Sequence, residues 1–263
     1  MKLRIDRLLV DRGLVPSRER AQALILAGKV LVNEQKIEKA GAAVADDAVI
    51  RLLGEDIRYV SRGGLKLERA LDYWKLDLRD RICLDIGTST GGFTDCLLQH
   101  GAARVIAVDT GYGQIDIKLR NDARVRLLEK TNARYLTADQ LRALVAEHKI
   151  NFIAMDVSFI SATLVLPAVV QSVRDLNGEA GLSELETVVL VKPQFEVGRA
   201  QVGKGGIVRD ANAQAAAAAK VEAAVRQLGA SRTDVIDSPI LGAEGNREFL
   251  LYATFRKERS DKA

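Results

Sequence analysis

The stretch RICLDIGTSTGGFTDC, residues 81–96, decides how this chain is read. An apolar run ends in an acid and a glycine, passes three small polar residues and a glycine pair, then turns apolar again. That order predicts a buried strand, a tight turn and a helix. In an open α/β sheet a ligand sits beyond the carboxyl end of such a strand, and glycines let the backbone approach it closely. The turn suits a phosphate, a dinucleotide or an adenosine-bearing cofactor. A Walker-type phosphate loop is excluded, because no Gly-Lys-Ser/Thr closes the stretch. A nicotinamide fingerprint fits residues 87–92 except that Ser89 occupies the central glycine position, and Asp109 stands where a ribose-binding acid belongs. The turn alone leaves dehydrogenase and methyltransferase both open.

Three further apolar runs repeat the strand pattern: ARVIAVD (103–109), INFIAMD (150–156) and TVVLVKP (187–193). Such near-continuous runs are those of parallel strands covered on both faces. Helical stretches accompany them, SATLVLPAVVQSV (161–173) and NAQAAAAAKVEAAVRQLG (212–229). PILGAEGNREFLLYATFRK (239–257) reads as a turn and a closing strand. The alternation predicts an α/β, Rossmann-like fold with a doubly wound, mostly parallel sheet over residues 61–263. Residues 1–60 have a different pattern. Two short helices, around RIDRLLVDRG (4–13) and RERAQALILAG (18–28), precede the small strands KVLVN (29–33) and AVIRLL (48–53). Ser17 is the expected N-cap of the second helix. A small N-terminal α+β domain is predicted there.

Composition narrows the class. The 263 residues are 48% hydrophobic and 28% charged, as in soluble globular proteins. Cys83 and Cys96 lack metal-ligand spacing, so no metal site and a reducing cytoplasm are expected. Charges interrupt the N-terminal MKLRIDRLLVDRG, and no signal peptide is expected. The longest uncharged run, residues 157–173, is short for a membrane span and contains Ser, Thr, Gln and Pro; it reads as a buried helix. Residues 1–39 hold nine Lys/Arg and five Asp/Glu, so the whole formal excess of +4 sits there. A concentrated cationic surface suits a polyanion.

The strand tips carry the chemistry. His100 and His148 fall away from them, so no hydride-transfer histidine is evident. Asp85, Asp109, Asp156 and Lys192 stand there instead. Acids after the first two strands suit a cationic sulfonium and its ribose hydroxyls. The fourth strand is followed by neither the Asn/Asp-Pro-Pro-aromatic of amino-group methyltransferases nor a thiolate placed for attack on a pyrimidine. A ribose hydroxyl, which needs orientation and a base, fits MDVSF (155–159) better.

Two resemblances sharpen this. Residues 4–37 resemble the alpha-L RNA-binding domain shared by small-subunit ribosomal protein four and many RNA-modifying enzymes. That implies RNA contacts from Arg4, Arg7, Arg18, Arg20 and Lys29. The whole chain resembles the hemolysin-A (TlyA) family of RNA ribose 2′-O-methyltransferases, whose catalytic half is FtsJ-like. VSRGGLKL, STGGFTD, GYGQ, KTNAR, MDVSFIS, VKPQFEVG, VGKGGIV and GNREF carry it, in that order. The resemblance implies S-adenosylmethionine-dependent 2′-O-methylation of ribosomal RNA by a cytoplasmic enzyme. Its partners would be ribosomal RNA or ribosomal subunits, with neither DNA nor membrane. A membrane-active cytolysin and an RNA-binding protein with an inert methyltransferase half are the rival readings.

The FtsJ-like catalytic set carries over to Lys66, Asp156, Lys192 and Glu248, with Glu244 a second acid nearby. Lys192 is the expected base, Lys66 the group that steers the ribose, and the two acids orient the lysines. For the cofactor the resemblance implies Asp85, Gly87, Ser89, Gly91, Gly92 and Asp156 around the sulfonium and amino-acid end. Asp109 falls to the ribose hydroxyls and Asn132 to the adenine. Residues 198–210, with Arg199 and Lys204, read either as a mobile RNA-facing lid or as a plain surface loop.

Overall fold

The computed structural model describes residues 2–15, 17–53, 58–145, 149–178, 185–242 and 245–255. The chain divides into two compact units, Met1–Ile57 and Arg58–Ala263. In the first, β1 (Lys2–Arg4) leads into α1 (Ile5–Asp11), and α2 (Arg18–Leu26) follows. The backbone N–H of Arg20 donates to Ser17 Oγ at 3.3 Å, so Ser17 is the cap its position predicts. Such a cap stabilises a helix by about 1 kcal/mol. Then come β2 (Val30–Val32), β3 (Gln35–Lys36), β4 (Ala43–Ala45) and β5 (Ile50–Leu52). Strand β1 pairs with β4, and β2 pairs with both β3 and β5, all antiparallel. Ile5, Leu8, Leu9, Leu24, Ile25 and Val30 fill a core belonging to this unit alone.

The second unit begins with α3 (Gly63–Trp74), β6 (Ile82–Ile86), α4 (Gly92–Gln99) and β7 (Arg104–Val108). After them run α5 (Ile117–Arg120), β8 (Val125–Leu128), α6 (Ala138–Val145), β9 (Phe152–Met155) and α7 (Ala162–Asn177). The remainder is β10 (Glu186–Val191), α8 (Pro193–Glu196), α9 (Ala211–Gln227), β11 (Arg232–Asp237) and β12 (Phe249–Thr254). Seven strands form one sheet in the order β11-β12-β10-β9-β6-β7-β8. Strand β12 runs antiparallel to β10 and β11, and the remaining pairs are parallel. The strand order reverses between β6 and β9, which opens a crevice beyond their carboxyl ends.

The four predicted parallel strands are β6, β7, β9 and β10. Strands β8 and β11 were absent from the sequence reading. Both are sheet edges with partly exposed residues, so neither shows the continuous apolar run of a covered strand. Among the described residues no helix is long and apolar enough to cross a membrane. The run 157–173 instead enters α7, whose Val165, Leu166, Val169, Val170 and Val173 are buried in the sheet's core.

Candidate active site

Strand β6 delivers the backbone to Gly87, which has φ +85°. A Cβ there would lie 2.3 Å from the carbonyl oxygen of Asp156, so only glycine permits this approach of the two strand ends. At Gly92 a Cβ would lie 2.2 Å from Ser61 Oγ, so the first turn of α4 packs directly on the segment entering α3. Two cavities open around this junction. One, about 290 Å³, is lined by Gly87, Ser89, Asp109, Asn132, Ser158 and Phe159 among others. The second, about 210 Å³, is lined by Ser61, Gly63, Lys66, Thr90, Gly92 and Phe93 among others. Gly87, Ser89 and Asp156 border both.

The four residues expected to be catalytic form two ion pairs here. Lys66 Nζ donates to Glu248 Oε2 at 2.6 Å, with side chains 10% and 3% exposed. Lys192 Nζ lies 2.5 Å from Asp156 Oδ1. That contact is close but poorly aligned, and Asp156 Oδ1 has no hydrogen bond among the described residues. The aligned bond from Lys192 Nζ goes to Ser158 Oγ, at 2.7 Å. Glu248 closes the loop before β12: its carbonyl accepts from the N–H of Ser238, and a Cβ on Gly242 would lie 2.4 Å from Glu248 Oε1. Glu244 lies outside the described residues.

The acids of the expected cofactor set divide. Asp109 lines the larger cavity, and its carboxylate is fixed by backbone N–H groups, Ser89 to Oδ2 at 2.7 Å and Gly111 to Oδ1 at 2.6 Å. Asn132 lines the same cavity; its Oδ1 accepts from the N–H of Arg134. Asp85 and Gly91 line neither cavity. Asp85 is fully buried, and its Oδ2 accepts from Thr94 Oγ1 at 2.5 Å in the first turn of α4. Burial pushes its carboxyl up to about 7, opposed by the Thr94 hydrogen bond and reinforced by the nearby Asp156 and Asp109 charges. Gly91 caps α4 at φ +97° and packs against Leu119. Asp85 lies inside β6, in register with Ala107 and so two positions short of the place Asp109 holds beyond β7, and that depth puts it under the turn and α4 rather than at the cavity.

A sulfonium-bearing nucleoside fits what is present. Two carboxylates, Asp109 and Asp156, line the larger cavity beside the glycine turn, and Asp156 Oδ1 is buried with no aligned hydrogen bond among the described residues. Asp109 presents a rigid carboxylate of the kind that takes vicinal hydroxyls. Both cysteines are buried, and burial raises their thiols well above the usual range, so neither is a poised nucleophile.

The expected RNA-contacting residues occupy both units. Arg4 donates to Asp6 at 3.0 and 2.9 Å and Arg18 donates to the same carboxylate at 3.0 Å, so one buried acid holds two half-exposed guanidinium groups together. The Arg4 hydrogen bond is the main reason the Asp6 carboxyl lies far below its ordinary range. Arg7 is exposed and lies 3.4 Å from Asp11; Arg20 and Lys29 are half-buried. In the other unit Arg199 and Lys204 are exposed on the loop before α9. The end of that loop nearest α9 is held by side chains. Buried Asn246 accepts from the Val208 N–H at 3.0 Å and donates to the Gly206 carbonyl at 2.8 Å, and Gln214 Nε2 donates to the Val208 carbonyl at 2.7 Å.

Three residues went unnoticed in the sequence. Ser158 holds Lys192, Asn246 anchors the basic loop, and Phe159 is 91% exposed at φ +64° on the lip of the larger cavity. A serine, an asparagine and an aromatic carry no periodic or spacing signal. All three lie inside motif blocks, and that is the only trace that could have found them.

Residues 59–255 match the FtsJ-like methyltransferase family, and residues 3–50 match the S4 domain. The chain is 41% identical over 260 residues to the 16S/23S rRNA (cytidine-2′-O)-methyltransferase TlyA of Mycobacterium tuberculosis, covering 98% of this chain and 92% of that one. It is 38% identical to hemolysin A of Brachyspira hyodysenteriae, covering 95% and 99%. A solved structure from Streptococcus thermophilus, described as that of a hemolysin candidate, superposes with a TM-score of 0.71 at 42% identity, covering 96% and 88%.

Proposed function

Because this chain belongs to the FtsJ-like methyltransferase family and carries an S4 domain, we propose that it transfers a methyl group from S-adenosylmethionine to a ribose 2′-hydroxyl of ribosomal RNA in the cytoplasm. The observation that carries this reading is the pair of ion pairs, Lys66–Glu248 and Lys192–Asp156, of which Asp156 borders both cavities and Lys66 the smaller, with Lys192 and Glu248 directly behind them. The bound cofactor supplies an electrophilic methyl on a cationic sulfur. Asp109 would hold its ribose hydroxyls, Asn132 would contact its adenine, and Gly87, Ser89 and Gly92 would offer close backbone. Asp156, which borders both cavities and pairs with Lys192, would also balance the charge of the cationic donor. Lys192 accepts the 2′-hydroxyl proton, while Lys66, held by Glu248, steers the ribose. General-base assistance of this kind contributes about 10²–10⁴-fold. The exposed Phe159 ring suits stacking on a base turned out of its helix, since single-stranded and flipped bases are gripped by aromatic faces. Arg4, Arg7, Arg18, Arg20 and Lys29, with Arg199 and Lys204, supply phosphate contacts that position the RNA without reading its bases.

The test measures tritiated methyl incorporation into ribosomal subunits from cells lacking the gene, with the modified position mapped as a 2′-O-methyl. Lys192→Arg keeps the charge but cannot give up its proton at working pH. It and Lys192→Met should retain cofactor and RNA binding and lose about 10²-fold or more in rate. A near-normal rate for the arginine variant removes Lys192 as base, and methylation of bases alone removes the ribose reading.

A further inference from the structure

We infer that Ser158 is a positioning residue for Lys192, its hydroxyl fixing the direction in which the lysine amine meets the substrate hydroxyl. The inference rests on the methyl-transfer reading above and concerns how its base is aimed. Lysine is a poor natural pointer: its charge rides on a four-carbon stem with many rotamers. A general base must lie within about 2.6–3.2 Å of the oxygen whose proton it removes, with its lone pair aligned. Two groups reach Lys192 Nζ among the described contacts. Asp156 Oδ1, at 2.5 Å, supplies charge at an angle that makes no hydrogen bond. Ser158 Oγ, at 2.7 Å, accepts an aligned one. In the neutral amine one N–H is committed to Ser158 and a second lies beside the carboxylate, so the lone pair takes the remaining direction. When the O–H bond of the 2′-hydroxyl breaks, its proton forms the new N–H bond there and the amine becomes an ammonium that still donates to Ser158.

Ser158 is itself held in place. The segment from Asp156 to Ala162 is fastened to the segment from Lys192 to Glu196 beyond the lysine. The Phe159 and Phe195 rings are 5.5 Å apart, and the buried Glu196 carboxylate accepts from Ser161 Oγ at 2.5 Å and the Ala162 N–H at 2.7 Å. Phe159, next in chain, sits at φ +64°, a conformation a non-glycine residue keeps only where its surroundings impose it. Ser158 is exposed and lines the larger cavity, so its hydroxyl is not part of the core. A side chain fixed by its backbone, exposed to the site and bonded to the base is placed to orient, and misplacement of a reacting group by about 1 Å can cost 10²-fold in rate.

The test compares wild type, Ser158→Ala, Ser158→Thr and Lys192→Met in steady-state methyl transfer to ribosomal subunits, with cofactor binding and unfolding midpoints measured beside the rates. Ser158→Ala should slow kcat at least 10-fold with KM for RNA, cofactor affinity and midpoint unchanged, and Ser158→Thr, which restores a hydroxyl, should recover most of the rate. A normal kcat for Ser158→Ala beside an inactive Lys192→Met overturns the inference and leaves the base assignment standing. Equal loss in the alanine and threonine variants overturns the hydroxyl's role. An active Lys192→Met overturns the base reading and this inference with it.

Discussion

Asp85→Asn should stabilise the protein more, relative to wild type, at pH 8 than at pH 5. The wild-type carboxyl is sealed beneath the glycine turn with one oxygen unpartnered, and burial raises it from its ordinary 3.8 to about 7. A carboxyl whose folded pKa lies above its unfolded value keeps a proton that the unfolded chain releases. Its contribution to stability is therefore greatest below pH 4, falls as pH rises through that window, and levels off above 7. At about 1.4 kcal/mol per pH unit the full span is on the order of 4 kcal/mol, of which about 3 falls between pH 5 and 8. Asparagine keeps an acceptor for Thr94 Oγ1 and removes the titration. Its amide N–H groups add a penalty of roughly 1–3 kcal/mol if unmet, but that offset does not vary with pH. The assay is urea unfolding of both proteins at pH 5, 6, 7 and 8, followed by the fluorescence of Trp74, the only tryptophan, which reports the catalytic unit by itself. A stability difference between the two proteins that stays constant within about 0.5 kcal/mol over that range would refute the buried-acid reasoning.

Two other outcomes are expected. Lys66→Met leaves Glu248 buried without its cation and should cost about 3–5 kcal/mol; the double variant Lys66→Met/Glu248→Leu should regain most of that stability while remaining inactive, and equal unfolding free energies for single and double would show that the pair is not desolvated. Removing residues 1–57, which have their own core, should leave a domain that S-adenosylmethionine still stabilises against heat but that has lost most RNA affinity and most of its salt dependence; undiminished RNA binding by the truncated chain would take the RNA-contacting role away from Arg4 and Arg18.

The strands of the parallel core were legible because burial on both faces writes itself into sequence as an unbroken apolar run, as in residues 82–86 and 152–155. The glycine turn was legible because few other residues tolerate its conformation, and the residue types proposed for catalysis were legible because they sit in the motif blocks that carry the resemblance. The edge strands β8 and β11 were not, since half-exposed strands mix polar and apolar residues. What the linear order could not contain is convergence. Lys66 and Glu248 meet across 182 positions, and Lys192 and Ser158 across 34, because the sheet brings separate strand ends to one side of the molecule. Both Asp85 and Asp109 stand near the ends of successive strands in sequence, yet Asp85 lies inside β6, in register with Ala107, and is covered by the turn it supports, while Asp109 follows β7 and reaches the cavity. Residue type is set locally, but exposure, pairing and the pull on a titrating proton depend on what lies across the gap, and only the folded chain determines that.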